Sequence, residues 1–304
     1  MRALNLIPVP ETGTEDVVLD ERGNVYTGTA DGSIFRIRAG EERSERVGKM
    51  PGRPLGLELL GDGRLLVCDA HAGLLAFDPA SGRVEVLVAS VAGERIGFCN
   101  NAAVARDGTI YFSDSSRHHT LEHWKADFLQ NTRSGRLLRR SPDGAVEVLL
   151  DGLAFANGVA LAADESFVAV AETAARTVVR LWLSGPRAGQ RDLLATALPG
   201  YPDNIARGSD GRIWVTIASP INALAEWIQR APRPLRNAFT RLPEALHPEP
   251  TRTARVMAFN ENGTLAHDHQ CEAKRFHMVT GVREHGGRVW LGSLVESAVA
   301  YFDH

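Results

Sequence analysis

The segment that decides the fold is AAVARDGTIYFSDS, residues 102–115. An apolar run leads into Asp107 and Gly108, and a run of aromatic and β-branched residues follows them. Two such runs on either side of a glycine-containing turn are typical of neighbouring antiparallel β-strands. The segment therefore predicts a pair of strands joined by a turn at Gly108.

The same pattern occurs six times along the chain. The turn glycine, or the residue in its place, is Gly23, Gly63, Gly108, Glu165, Gly211 and Gly287. A further strand-like run follows most copies, for example at residues 32–37 and 73–79. Units of about 40–50 residues with four strands each are typical of propeller blades. We therefore expect an all-β fold, a single six-bladed β-propeller domain over residues 1–304. The alternative, a two-domain β-sandwich, does not explain the equal pattern of the copies.

The composition narrows the classes of function. The chain has 304 residues, of which 44% are hydrophobic and 23% charged, and its formal net charge is −3. These values are typical of a soluble globular protein and give no electrostatic reason for nucleic-acid binding. No apolar run reaches the roughly 20 residues that a membrane span needs. The start lacks signal-peptide features and the three cysteines lack CxxC spacing, so we expect a cytoplasmic monomer or homodimer.

Polar residues recur eight positions before each turn. The residues at this position are Glu15, Leu55, Asn100, Asn157, Asp203 and Val279. The first strands of propeller blades line the central axis, so their starting ends form one ring at one mouth of the channel. Four of the six positions carry carboxylate or amide oxygens, and Asn204 adds another beside Asp203. The pattern predicts a cluster of oxygen atoms around the axis.

An oxygen-only ring without lysine or arginine is suited to a hard cation. Ca²⁺ fits this donor set best, with Mg²⁺ or Mn²⁺ as alternatives, whereas structural zinc prefers cysteine and histidine. Asparagine and aspartate also cap strand ends and turns, but capping alone does not explain four at one equivalent position. Glu15 is then expected to face the axis as a metal ligand. Asp16 is expected to point the other way, because side chains alternate along a strand.

These segments resemble the superfamily that joins SMP-30/gluconolactonases, paraoxonases and strictosidine synthase-like proteins. The resemblance is strongest to the strictosidine synthase-like branch, through the order and spacing of EDVVLDERGNVYTG, IYFSDSS, FANGVAL, YPDNIA and VREHGGRVWLGS. It implies a six-bladed propeller with a catalytic divalent cation, usually calcium, in the central channel. The ligands that it implies are Glu15, Asn100, Asn157 and Asp203, with Asn204 as an added ligand.

Several positions depart from the patterns of these relatives. Paraoxonase-like proteins hold a second, structural calcium with acids at the positions of Asp16 and Asn101, and the amide here weakens such a site. The histidine of their proposed catalytic dyad is replaced by Leu55. The last-blade glutamate of strictosidine synthase is replaced by Thr280. These departures argue against true strictosidine synthase activity and leave the second metal open.

The topology predicts which loops cover the metal. The second strand of each blade ends at the metal face, so the connections after second strands overhang the site. Together with Leu55 of the ring and Thr280 they supply the candidate pocket residues, which are Leu55, Asp114, His118, Trp124, Glu172, Ser219, Trp227 and Thr280.

Two of these connections are long insertions, at about residues 115–133 and 219–252. Segments 118–131 and 221–242 within them place apolar residues at helical spacing, until Pro232 and Pro234 break the second pattern. We expect both to fold as short helical lids that decide substrate specificity. Contact with a membrane or with a second subunit is the alternative use of their apolar residues.

The ring and lids favour a metal-dependent hydrolase of a small molecule, a lactone or related ester. Because calcium acidifies water weakly, a separate general base is expected, with Asp203 as the first candidate and His71 as the second. The alternative for His71 is a hydrogen-bonded loop residue. The chain has no G-x-S-x-G motif, so a serine nucleophile is not predicted. The alternative functions are a binding or scaffold propeller with a structural metal, and an enzyme that catalyses a condensation, isomerisation or lyase step.

Overall fold

The structure is a computed structural model that describes residues 3–243, 246–271 and 273–304. Six four-stranded antiparallel sheets surround a central channel, and the first strand of each sheet lies next to the first strands of its neighbours. The predicted six-bladed β-propeller is confirmed.

The first three blades follow one another along the chain. Their strands are β2 to β5 (Val17–Leu19, Val25–Gly28, Ser33–Ile37, Ser44–Lys49), β6 to β9 (Pro54–Leu59, Leu65–Asp69, Gly73–Phe77, Val84–Val88) and β12 to β15 (Cys99–Val104, Ile110–Asp114, Gly135–Arg140, Val146–Leu153). A two-stranded ribbon, β10 (Ser90–Val91) and β11 (Glu94–Arg95), lies between the second and third blades.

The last three blades include the closure of the ring. Their strands are β16 to β19 (Ala156–Leu161, Phe167–Glu172, Thr177–Trp182, Arg191–Ala195), β20 to β23 (Gly200–Arg207, Ile213–Pro220, Ala254–Phe259, Leu265–Cys271) and β24 to β26 (Val279–His285, Arg288–Ser293, Ala298–Asp303) with β1 (Asn5–Pro8). Strand β1 pairs antiparallel with β26, from Asn5 opposite Tyr301 to Pro8 opposite Ala298. The sixth blade therefore takes strands from both ends of the chain, which closes the propeller.

The six turns confirm the sequence repeat. All six residues have a left-handed backbone, with φ of +78° at Gly23, +85° at Gly63, +85° at Gly108, +59° at Glu165, +76° at Gly211 and +81° at Gly287. Glycine adopts this conformation without steric cost, which explains why it occupies five of the six positions. Glu165 adopts it as well, and its carboxylate accepts a hydrogen bond from the backbone N–H of Arg106 at 3.0 Å.

One ring position differs from the prediction. In the first strands of blades two to six, a register shift leaves two residues in a bulge, and in the sixth blade these residues are Thr280 and Gly281. Thr280, not Val279, is therefore the structural equivalent of Asp203. The sixth turn has two residues between His285 and Arg288, so Gly287 is the second residue of its turn, whereas the reference residue is the third in every other blade. Counting back from the turn was therefore wrong by one.

Three short helices cover the end of the channel where the ring lies. They are α1 (Trp124–Gln130), α2 (Ala223–Arg230) and α3 (Arg233–Phe239). Among the described residues, 3-10 turns also lie at Leu121–His123, directly before α1, and at Gly185–Arg187, between β18 and β19. The helices pack against one another, and α1 and α2 bury one side against the propeller. None of the described helices is long and apolar enough to cross a membrane.

Both predicted lids are therefore helical, with one correction. Asn222 caps α2 by accepting hydrogen bonds from the backbone N–H groups of Leu224 and Ala225. The prolines were expected to end the helical pattern, but Pro232 instead precedes a new helix and Pro234 lies in its first turn. Proline is favoured there because the first helical N–H groups need no partner within the helix.

Candidate metal site and substrate pocket

The oxygen ring exists as a spatial group. Five ring residues line one cavity beneath the lids, namely Glu15, Leu55, Asn100, Asn157 and Asp203. The sixth, Thr280, is fully buried beside them, and its hydroxyl donates to the backbone carbonyl of Glu15 at 2.8 Å. The bulged starts of the first strands thus bring these residues together from all six blades.

Two hydroxyl groups orient the ring amides. The Asn100 amide nitrogen donates to Ser115 Oγ at 2.9 Å, and the Asn157 amide nitrogen donates to Thr173 Oγ1 at 3.2 Å. Ser115 and Thr173 in turn donate to the backbone carbonyls of Ala156 and Pro202. Each hydroxyl is thereby held by the following blade, so each amide has its nitrogen occupied and its oxygen available.

Three buried oxygens in the ring are left without a hydrogen-bond donor. They are Glu15 Oε2, Asn100 Oδ1 and Asn157 Oδ1, and no described residue donates to any of them. Buried oxygens normally have a partner, and this set of carboxylate and amide oxygens is what Ca²⁺ prefers. The residues present therefore fit a divalent cation.

The pKa shifts of the ring carboxyl groups also fit a bound divalent cation. Burial raises the pKa of Glu15 to about 7, with Arg53 opposing this rise and Asp16 adding to it. Burial and the neighbouring Glu15 together raise the pKa of Asp203 well above its usual range. Two buried carboxylates close together disfavour one another's ionised form, and a bound cation removes this cost.

A positively charged side chain that the sequence did not indicate lies beside the oxygen ring. Arg53 Nη2 lies 3.8 Å from Glu15 Oε2 and donates to the backbone carbonyl of Leu294 at 3.2 Å. Gly13 makes room for it, since a Cβ there would lie 3.0 Å from Arg53 Nη2. The ring positions themselves lack lysine and arginine as expected, but Arg53 approaches from two residues before Leu55.

A second tier of residues lies two positions before each ring residue. It comprises Gly13, Arg53, Phe98, Phe155, Tyr201 and Met278, and the last four line the cavity. Phe98 and Phe155 make an edge-to-face contact with centroids 5.5 Å apart, and Tyr201 makes one with Phe128 of α1 at 4.8 Å. Sequence reasoning missed this aromatic wall, although the two-residue period of a strand would have revealed it.

A third tier alternates between polar residues and glycine. The position after each ring residue carries Asp16, Asn101 and Asn204 in odd blades and Gly56, Gly158 and Gly281 in even blades. A Cβ at any of these glycines would lie within 2.6 Å of the backbone at the polar residue of the next blade. Glycine is required there because the neighbouring strand approaches so closely.

The third tier contains the residues predicted for a second metal. Asp16 Oδ2 accepts from the backbone N–H of Leu57 at 3.0 Å and from the Asn101 amide nitrogen at 3.2 Å, while Asn101 Oδ1 accepts from the N–H of Val159 at 2.8 Å. The oxygen of Asn101 is thus used by the backbone, and its nitrogen faces Asp16. Asn204, the predicted added ligand, is buried outside the cavity lining, and its amide has no hydrogen-bond partner among the residues that the structure describes.

The predicted pocket residues divide into two groups. Leu55, Trp124 and Ser219 line the cavity, while Asp114, His118, Glu172, Trp227 and Thr280 are absent from its described lining. Trp227 is 53% exposed on the outer side of α2.

The polar residues that lie outside the lining have other partners. Asp114 is paired with Arg136 at 2.6 Å, and the Glu172 carboxylate accepts from the backbone N–H of Ala154 at 2.8 Å. His71 is also outside the cavity lining, with its Nε2 2.6 Å from the Glu122 carboxylate and 40% of its side chain exposed. The alternative that it is a hydrogen-bonded loop residue describes it better than the role of a base.

Similarity to known proteins agrees with this architecture. Family models match residues 1–37, described as strictosidine synthase-like, N-terminal, and residues 100–186, described as strictosidine synthase. Protein STRICTOSIDINE SYNTHASE-LIKE 10 of Arabidopsis thaliana is 32% identical, over 96% of this chain and 85% of that protein. The chain belongs to the strictosidine synthase-like family. An adipocyte plasma membrane-associated protein of Rattus norvegicus is 33% identical to this family member, over 88% of this chain and 77% of its own.

Solved structures support the fold of this strictosidine synthase-like protein. A gluconolactonase from Xanthomonas campestris superposes with a TM-score of 0.72 over 99% of this chain and 88% of its own, at 17% identity. A regucalcin from Agrobacterium tumefaciens, described as a calcium-binding protein, superposes with a TM-score of 0.67 over 97% of this chain and 90% of its own, at 13% identity. At these identities the likeness concerns the fold alone.

Proposed function

We propose that the protein is a divalent-metal-dependent hydrolase of a small lactone or related ester with an apolar substituent. The observation that carries the proposal is the set of three buried oxygens without donors, on Glu15, Asn100 and Asn157, at the floor of an aromatic-walled cavity. These residues and Asp203 would hold the cation, with Ca²⁺ preferred. A gluconolactonase and a calcium-binding regucalcin with the same fold support this reading.

The metal ligands are pre-organised by the fold. When bound, the cation would supply Lewis-acid polarisation of the substrate carbonyl. Ser115 and Thr173 hold the ring amides in one orientation through hydrogen bonds that continue into the next blade. Little rearrangement is then needed when a substrate arrives, which is the advantage of pre-organised dipoles in catalysis.

Asp203 is the residue best placed to move a proton. It lines the cavity and is partly accessible from it, whereas Glu15 is buried. The pKa of Asp203 is raised in the metal-free protein by burial and Glu15, and a cation beside it would keep the carboxylate ionised, which is the form that can accept a proton. In the proposed reaction its carboxylate accepts the proton of the attacking water and returns it to the leaving alkoxide.

The cavity wall indicates the substrate class within lactones and esters. Five aromatic side chains surround the oxygen ring and offer few hydrogen-bonding groups. They are Phe98, Phe155, Phe128, Tyr201 and Trp124. The hydroxyl groups of a sugar lactone would lose hydration along this aromatic wall, whereas an alkyl or aryl substituent would gain from burial against it. We therefore expect apolar lactones or esters to be better substrates than hydroxylated ones.

A substrate panel with metal removal tests the proposal. Alkyl-substituted and hydroxylated lactones of equal ring size, together with aryl esters, are assayed after chelator treatment and again after Ca²⁺, Mg²⁺ or Mn²⁺ is restored. We expect hydrolysis that disappears with the chelator, returns with the metal, and favours the alkyl-substituted lactone. Ligand binding without any turnover would instead support a binding propeller with a structural metal.

A further inference from the structure

Three histidines converge at the outer side of the propeller, away from the ring. His267 and His269 are two residues apart on β23, the outermost strand of the fifth blade, so their side chains lie on the same face. His304 follows β26 of the sixth blade. One ligand nitrogen from each of the three lies within 4.8 Å of the other two.

Packing holds these imidazoles in place. The ring of Trp214, which is fully buried, stacks with His267 at 5.8 Å and 14° and with His269 at 5.9 Å and 18°. His304 meets Trp214 edge-on at 5.1 Å, and only 13% of its side chain is exposed. The backbone N–H of His304 donates to the carbonyl of Gly287 at 2.9 Å, which fixes this residue to the sixth blade.

We propose that His267, His269 and His304 form a binding site for a borderline transition-metal cation of the Zn²⁺ class. Imidazole nitrogen is a preferred ligand of Zn²⁺, Ni²⁺ and Cu²⁺, and a donor set without oxygen does not suit Ca²⁺. Zinc–nitrogen bonds of about 2.0–2.1 Å in tetrahedral geometry place the nitrogens roughly 3.4 Å apart. The nitrogens lie at most 4.8 Å apart, so metal binding would require them to approach one another by up to about 1.4 Å.

A buried carboxylate lies near one of the proposed ligands. Glu284 Oε1 lies 3.8 Å from His304 Nε2, and the Glu284 side chain is 1% exposed. Histidine ligands usually have a carboxylate or carbonyl on the ring nitrogen that does not bind metal, which orients the imidazole and increases its basicity. At 3.8 Å the contact is too long for a direct hydrogen bond, but it places a negative charge beside the His304 imidazole.

The site would join two blades. His267 and His269 come from the fifth blade, and His304 comes from the sixth, where β1 and β26 close the propeller. A cation bound here cross-links the outermost strand of the fifth blade to the end of β26 in the sixth. Because it would bind the folded state selectively, it should stabilise the whole propeller.

The test is a Zn²⁺ titration of the untagged full-length chain in excess Ca²⁺, which keeps the channel ring occupied. Calorimetry should show one Zn²⁺ per chain, and Co²⁺ should give the intense visible absorption of a low-symmetry nitrogen site. His304→Gln and His267→Gln should each weaken Zn²⁺ binding by at least about tenfold, the loss that even outer-shell changes cause. His285→Gln is the matched control, because His285 is an exposed histidine at the end of β24 outside the cluster, and this variant should bind as the wild type does.

Thermal unfolding keeps the test independent of any one variant. Zn²⁺ should raise the Tm of the wild type and of His285→Gln but not that of His304→Gln. If the wild type binds no Zn²⁺ at micromolar concentration, or if His304→Gln retains the wild-type affinity and Tm shift, the proposal is wrong and the three imidazoles are a packing cluster around Trp214.

Discussion

The guanidinium of Arg53 lies 3.8 Å from the carboxylate of Glu15, at the floor of the cavity and within the candidate metal site. Two unit charges about 4 Å apart interact by roughly 4 kcal/mol at an effective dielectric constant of 20. Arg53 therefore keeps Glu15 more acidic than burial alone would, and it also repels a cation from the same oxygen. Arg53 and a bound cation therefore compete for the Glu15 carboxylate.

Replacing Arg53 with methionine should strengthen Ca²⁺ binding by about tenfold or more at high pH, because it removes a positive charge that repels the cation. The substitution also raises the pKa of Glu15 further, so the gain requires a pH above that new pKa. Near pH 6 the gain should shrink, because Glu15 without Arg53 is protonated more readily. Calorimetric titration at the two pH values measures both effects, and weaker binding at high pH would show that Arg53 supports the site.

The pH dependence of metal binding follows from the pKa of Glu15. This pKa is raised from its ordinary value of 4.5 to about 7 in the metal-free protein, so the carboxyl is largely protonated at pH 5. Metal binding must displace that proton and any proton on Asp203, whose pKa is also raised, so Ca²⁺ affinity should rise from pH 5 to above pH 7. Titrations in buffers of different ionisation enthalpy should detect proton release near pH 6 that decreases as the pH rises.

The same shift has a consequence for stability. An acid with a raised pKa is ionised in the unfolded chain before it is ionised in the folded one. The metal-free protein should thus lose stability as the pH rises from about 4.5 towards 7, as far as Glu15 is concerned. Saturating Ca²⁺ should remove this loss, which denaturant unfolding with and without the metal would show. A metal-free protein that gains stability over this interval would contradict the assignment.

Asp203→Asn tests the proposed base. The amide keeps the size and one ligand oxygen but cannot accept the proton, so turnover should fall by about 10²–10⁴-fold while Ca²⁺ affinity falls modestly. Asn157→Asp is the matched control, because it changes the charge of the ring and leaves Asp203 intact. Kinetics on the best substrate, with metal content measured in each variant, decide the outcome. A near wild-type rate for metal-loaded Asp203→Asn would exclude Asp203 as the base.

The two lid tryptophans should behave differently. Trp124 lines the cavity and packs against Phe128, whereas Trp227 is 53% exposed and packs edge-on against Phe239. Trp124→Ala should therefore change the relative kcat/KM for alkyl-substituted and hydroxylated lactones by about tenfold, the value of a few buried methylene groups. Trp227→Ala should leave that ratio unchanged. Equal effects of the two substitutions would mean that α2 reorients when substrate binds.

Most of the ring residues could be predicted, because their positions follow from counting residues back from a turn to the start of a strand. A strand, a turn and a second strand place residues at equivalent positions whenever the reference residue lies at the same place in the turn. This held for Glu15, Asn100, Asn157 and Asp203. It failed at Val279, because Gly287 is the second residue of its turn and not the third, so that Thr280 takes the ring position.

The surroundings of the ring depended on partners distant in sequence. From the sequence, Asp114 was a plausible pocket residue and His71 a plausible base. In the structure the Asp114 carboxylate pairs with Arg136, and the His71 imidazole lies beside the Glu122 carboxylate. Residue type and position along a strand do not show which charge lies 3 Å away. The same limit hid Arg53, which reaches Glu15 from the neighbouring blade.

The sequence by itself determined the number of blades and most of the oxygen ring, because turn spacing and strand alternation are properties of short segments. Only the tertiary structure decided which side of each lid helix faces the cavity. Trp124 and Trp227 both lie at helical spacing among apolar residues, but one packs inward and the other outward. The meeting of His267 and His269 with His304 was likewise decided by the packing of two blades. The direction in which a side chain faces depends on the free energy of contacts between segments distant in sequence, and a local sequence pattern does not contain that information.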